Sequence, residues 1–332
     1  MRSRRLFLAV GACLATLTLT VGTAMADPPT PPPYRPIVGV GAQTTQDLLT
    51  AFSNVILDGS GKKVIASYDN GPPGNITTRD PAVTAACTFT RPSQGGAGVD
   101  ALVAHPTCVD FARTVTDECT PRPGKNLTCI PMADDALTYA IRSDSNIARN
   151  LSAADLTAIY NCDPDFTTGA EAIQPLLGVF GAGNRKFFLQ KLGFTDSMTF
   201  AGSPGHECVK DTDSAGNPLL ANDGRLLTNV HQLVTYSSAP YLAQVNNVAL
   251  DIHGKAVLGS INGISPAVLN SDSFMFRQVF NVVPTGQIGT GTLTNQIFVG
   301  QTSKVCANTA LIKRNGFTTD PNCGSTALHT GP

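Results

Sequence analysis

"PLLGVFGAGNRKFFLQKLGF", residues 175–194, decides how the chain is read. It reads as a buried strand, then a loop carrying Gly181 and Gly183, then an amphipathic helix that stops at Gly193. Such a loop points backbone N–H groups at whatever sits above the helix N-terminus. Two more glycine-bearing loops stand just before helices: Gly39-Val40-Gly41-Ala42-Gln43-Thr44-Thr45 and Ser93-Gln94-Gly95-Gly96-Ala97-Gly98. Any one of them could be only a turn, because glycine serves turns everywhere. Three in one chain suggest helix N-termini converging on a polar or anionic ligand. Thr44, Thr45 and Ser93 would add hydroxyl donors, and Asn184 could cap its helix and reach a ligand.

Outward from these loops, strand-like and helical patterns alternate. "IVGVGA", "KVIASYD", "CVDFART" and "LTYAIR" are strand-like, and "TTQDLLTAFSNVIL" is helical. The alternation predicts an α/β fold with a largely parallel sheet. "NLSAADLTAIYNC" predicts a short helix capped by Ser152, with Asp155 completing the capping box and Leu156, Ile159 and Tyr160 facing inward. Residues 202–224 read as a long polar surface loop, and further strands are expected at "HQLVTYSS", "NVALDI" and "FRQVFNVV".

Residues 1–26 read as a removable leader rather than as fold. Arg2, Arg4 and Arg5 precede an apolar run, and Ala24-Met25-Ala26 fits a small-x-small cleavage site. The run continues well past Cys13, which favours cleavage near Ala26 over lipidation at Cys13. Export to a secreted or cell-wall location follows. Residues 27–36, "DPPTPPPYRP", are expected to be an extended, mobile lead-in. Three of the 23 basic residues and none of the 24 acidic ones fall in the leader, so the rest carries a formal charge of −4. That balance argues against nucleic acid as a partner.

Eight of the nine cysteines lie beyond the leader, an even number suited to disulfides in an oxidising compartment. Spacing does not fix connectivity. Local pairing would give Cys87–Cys108, Cys119–Cys129, Cys162–Cys208 and Cys306–Cys323. With no CxxC and five scattered histidines, no metal is expected.

Catalytic signatures are missing. There is no GxSxG elbow, no HExxH and no phosphate loop of the GxxxxGK[ST] type. The pairs Asp134-Asp135 and Asp163/Asp165 read as solvated turns or helix starts. "CVDFARTVTDE" offers Asp110 as a proton acceptor and Arg113 as an anion grip, or else a turn cap and a surface cation.

Taken in order, "IVGVGAQTTQDLLTAF", "RPSQGGAGVDAL", "CVDFART", "NLSAADLTAIYNC", "GAGNRKFFLQKLGF", "LVTYSSAPYLAQVNN" and "FMFRQVFNVV" make the chain resemble the phosphate-binding-protein-like branch of the type 2 periplasmic binding proteins. The resemblance is to its secreted actinobacterial members. It implies two α/β lobes joined by two crossover strands around a central ligand cleft, no enzymatic activity, no cofactor, and an ABC permease as partner. The lobes would be 37–137 with 247–332, and 138–246. Family contacts carry over to Gln43, Thr44, Ser93, Asp110 and Ala182-Gly183-Asn184, with Thr45, Gly95, Arg113 and Arg185 beside them. The family's Ser-Gly-Thr run is replaced by Ala182-Gly183-Asn184, and its arginine meets Gly178. The expectation is therefore a monomeric solute-binding protein for a small polar or anionic ligand, phosphate itself being disfavoured. A secreted hydrolase with dispersed carboxylates, and an interaction protein that has lost its ligand, are the alternatives.

Overall fold

The computed structural model describes residues 27–28, 34–84, 86–120, 122–266 and 272–329. The expected leader, 1–26, lies outside them. The first half is built from β1 (Ile37–Gly41), α1 (Gln46–Val55), β2 (Ile65–Ser67), the hairpin β3 (Asn75–Thr77) and β4 (Thr88–Thr90), α2 (Gly95–Ala104) and β5 (Phe111–Thr114). β6 (Leu127–Arg142) then crosses to the second half. There follow β7 (Asn150–Leu151), α3 (Ala153–Tyr160), α4 (Pro164–Thr167), β8 (Gln174–Leu176), α5 (Gly183–Lys191), β9 (Gln232–Ser237), α6 (Ser238–Val245), β10 (Ala256–Leu258) and β11 (Ser260–Ile261). β12 (Phe276–Pro284) crosses back, leading to α7 (Leu293–Phe298) and α8 (Thr309–Arg314).

One sheet runs through both halves in the order β2-β1-β5-β12-β6-β9-β8, with β10 also on β6. β1 is parallel to β2 and β5, and β8 is parallel to β9. The crossovers β6 and β12 are antiparallel to each other and to β5 and β9. Each half buries both faces of its strands, which is why β1 reads as a continuous apolar run rather than an alternating one. In the first half Leu48, Leu49, Phe52, Phe111 and Phe298 cover one face, while Val38, Val40, Val99, Leu102 and Val282 cover the other. The second half packs Leu137, Tyr139, Ile159, Tyr160 and Phe188 on one face and Ala140, Leu176 and Tyr236 on the other.

The capping box of α3 is present: Asp155 N–H donates to Ser152 Oγ at 3.0 Å and Ser152 N–H to Asp155 Oδ2 at 2.8 Å. The four cysteine pairs named from local spacing are disulfides. Asp163 caps α4, as a helix start.

Other expectations need correction. Asp134 and Asp135 are buried within β6, not in a solvated turn, because the strand carries them through the junction of the two halves. "NVALDI" forms no strand; β10 lies farther on, paired antiparallel to β6. Residues 247–275 do not return to the first half at 247. β10 pairs with β6 from 140 to 142, β11 pairs with β7, and Met275 packs in the second core. The return comes at β12. The lead-in is tied down where it is described: Asp27 pairs with Arg91 at 2.6 Å and accepts the Asp69 N–H at 2.8 Å.

Candidate functional site

The ends of β1, β4 and β8 deliver three loops to the gap between the halves. They surround a cavity of about 580 Å³. Gln43 and Thr44 reach it from the first loop, Ser93 and Gly95 from the second, and Gly183 and Asn184 from the third. The helices that follow, α1, α2 and α5, have no side-chain cap at their N-termini. In α2 and α5 the first N–H groups are the orphans that a helix start leaves, whereas the Gln46 N–H of α1 donates to the Gln43 carbonyl at 2.9 Å. The two halves touch: a Cβ on Gly183 would lie 2.4 Å from Val115 Cγ2 across the gap.

Behind Thr44 and Asn184 lies a ring of hydrogen bonds. Thr44 Oγ1 donates to Asn184 Oδ1, Asn184 Nδ2 to Asn222 Oδ1, and Asn222 Nδ2 back to Thr44 Oγ1, each at 3.2 Å. Ser237 N–H also donates to Asn222 Oδ1, at 2.9 Å. Arg277 joins the ring through Nη2, at 2.7 Å from Asn184 Oδ1. The same guanidinium pairs with Asp135 at 2.8 Å and donates to Ser237 Oγ at 2.9 Å. Ser237 Oγ in turn donates to Asp135, whose other oxygen accepts the Ala239 N–H at 3.1 Å. Arg277, Asp135, Asn184, Asn222 and Ser237 are all buried, and their polar groups bond one another out of water, except Arg277 Nη1, which has no partner among the described residues.

Arg113, offered as an anion grip, and Arg185, expected beside the contacts, both face elsewhere. Arg113 is fully buried under the first loop, donating to the carbonyls of Gly41, Ala42 and Tyr68 and to Ser67 Oγ. Burial lowers its pKa to about 10, against the pull of the Asp69, Asp47 and Asp27 carboxylates. It shapes the loop rather than lining the cavity. Arg185 is equally buried, paired with Asp196 and Asp211 at 2.8 Å each, and donates to the Gly178 carbonyl at 3.1 Å. Asp110 precedes β5 instead of ending it, at the N-terminal end of the strand and outside the cavity lining. There it accepts from Val38 N–H at 2.7 Å and pairs with Arg79 at 2.5 Å. Burial raises its pKa, opposed by Arg79. Thr45 is buried and does not line the cavity. Asn184 does not cap α5; Ala182 stands at that position, and the Asn184 side chain is spent on the ring.

At the sequence level Asn222 and Arg277 are not assigned to the site, and Asp135 reads only as one of a solvated pair. Asn222 falls in the polar 202–224 stretch, where nothing distinguishes an inward asparagine from its exposed neighbours. The only available signal was an arginine within the apolar run "FMFRQVFNVV" and an aspartate pair inside another apolar segment. Charges so placed need buried partners. A second hollow of about 520 Å³ lies past Val115, where Arg277, Lys186 and Asp117 meet Phe187 and Phe276.

Solved structures share this architecture. A Clostridium perfringens protein described as a phosphate ABC transporter substrate-binding protein with bound phosphate superposes with a TM-score of 0.57 at 12% identity, covering 86% of this chain and 99% of its own. The chain has the two-lobe fold of phosphate-binding proteins. An ABC-type phosphate transport receptor from Vibrio cholerae gives a TM-score of 0.55 at 13% identity over 86% of this chain and 100% of its own. A phosphate-binding protein from Stenotrophomonas maltophilia gives 0.51 at 13%, over 86% and 91%. No protein-family model matches the sequence, and no curated protein matches it. No helix among the described residues is long and apolar enough to cross a membrane.

Proposed function

We propose that the chain is an exported solute-binding protein that closes its two halves on a small ligand and presents it to a membrane permease. The observation that carries the reading is the cavity at the strand ends, walled by three glycine-bearing loops drawn from both halves. Ligand held there touches both halves at once, so it stabilises the closed arrangement selectively. The secreted location, with cleavage near Ala26, and a monomeric state belong to the same proposal.

Phosphate is a poor candidate. The atoms nearest its expected position, Thr44 Oγ1 and the Asn184 carboxamide, are already bonded to each other and to Asn222. A hydrolase working through two carboxylates has no support in the cavity, since no carboxylate among the described residues lines it. The paired ring does favour one rival, an interaction protein whose ancestral ligand position is filled by its own side chains.

Small-angle scattering separates these readings. Protein from its own host is compared before and after ligand is stripped by unfolding and refolding. A larger radius of gyration after stripping, reversed by adding back the host extract's small-molecule fraction, is expected. Identical scattering in all three states would favour the interaction protein.

A further inference from the structure

We infer that the cavity takes an uncharged organic solute of peptide-amide character, not an oxyanion. The inference rests on the solute-binding reading and specifies its substrate class. Among the described residues no charged side chain lines the cavity. Both nearby arginines, Arg113 and Arg185, are wholly buried and committed to carbonyls and carboxylates behind the walls. Arg277 is neutralised by Asp135. An ion of either sign would lose its hydration here without gaining a counter-charge.

The walls themselves describe the ligand. Pro72, Pro73, Val115, Val179, Pro218 and Leu220 give it an apolar surface, and Leu220 is more than half exposed until something covers it. Among the described residues, the aromatic platforms that stack on sugar rings are missing from this lining. Two carboxamides, Gln43 and Gln94, line the cavity and have no side-chain hydrogen bond among the described residues. A carboxamide offers a donor and an acceptor together, the complement of a peptide group. The orphan N–H groups of α2 and α5 suit carbonyl oxygens of the same ligand. About 580 Å³ is the size of site that holds an organic molecule, not a bare tetrahedral anion.

The test uses the full secreted chain with four probes: cyclo(leucyl-prolyl), N-acetyl-leucinamide, inorganic phosphate and sulfate. Thermal unfolding and calorimetric titration are read for each, alongside native mass spectrometry of protein from its own host. Either neutral amide is expected to raise the unfolding temperature while both anions leave it unchanged. Leu220→Glu, on the exposed rim where folding is not at stake, is expected to weaken that binding by about tenfold or more. Stabilisation by phosphate or sulfate alone overturns the inference and leaves solute binding intact. If no probe acts, a co-purified molecule decides: an uncharged one supports the inference and a charged one overturns it. No probe effect and no co-purified molecule overturns both.

Discussion

Arg277 serves three acceptors at once, Asp135, Ser237 and Asn184, and is the cation on which the junction between the halves depends. Removing it strands Asp135, a fully buried carboxylate. Arg277→Met should therefore cost about 3–5 kcal/mol of stability, the usual cost of breaking a buried pair from one side. Chemical denaturation would measure it; a loss under 1 kcal/mol would mean that water reaches Asp135. Asn222→Ala is milder. It leaves Asn184, Thr44 and the Ser237 N–H each short of one partner, and about 1–3 kcal/mol is expected. Asp134 adds a pH dependence. Burial, with the Asp320 and Asp135 carboxylates nearby, raises its pKa to about 7. An unfolded aspartate titrates near 3.9. Between those values the fold holds a proton that the unfolded chain does not, so this group's contribution to stability falls as pH rises. The stability of Asp134→Asn relative to wild type should climb from pH 4 to pH 7 and then level off. A difference that stays flat across that window would refute the assignment.

At the scale of elements, the start of α5 carries the most. Gly183 lies against Val115 of the opposite half with no room for a side chain. Gly183→Val would wedge the halves apart at Val115, which lines the cavity and packs in the first core. Ligand affinity should drop by about tenfold or more, with at most a modest fall in the denaturation midpoint of the unliganded protein. Tight binding by that variant would place closure elsewhere. The three loop-helix units were legible because their signals are local: an apolar run, glycine, then helical periodicity ending at Gly193. β6 was not legible beyond its last residues. It passes from one sheet environment to another with Pro131, Asp134 and Asp135 inside it, and the tertiary partners Arg277 and Ser237 are what make Asp135 acceptable in a strand. The same dependence hid the direction of Arg113 and Arg185. Sequence supplies the cation near the loop but not the carbonyls and carboxylates that claim it.

Across the whole molecule, the crossovers β6 and β12 connect the halves, and their register slips between Val279 and Phe280, opposite Pro131. A slip and a proline weaken the ladder locally and allow it to bend. The disulfides respect that boundary. Cys87–Cys108, Cys119–Cys129 and Cys306–Cys323 staple the first half, and Cys162–Cys208 staples the second. None of these four ties one half to the other, which the proposed closure requires. The second half thus depends on a single bridge spanning 46 residues of sequence. In the chain-entropy picture a loop of that length is worth about 4 kcal/mol. Replacing both Cys162 and Cys208 by serine should raise amide hydrogen exchange throughout α3, β8 and α5 while the protection of α1, α2 and β1 is retained. Such a split would show that the halves are separately stapled units meeting at a flexible joint. Equal loss of protection in both halves would instead mean that the continuous sheet makes them unfold together, and rigid-body closure about the crossovers would lose its physical basis.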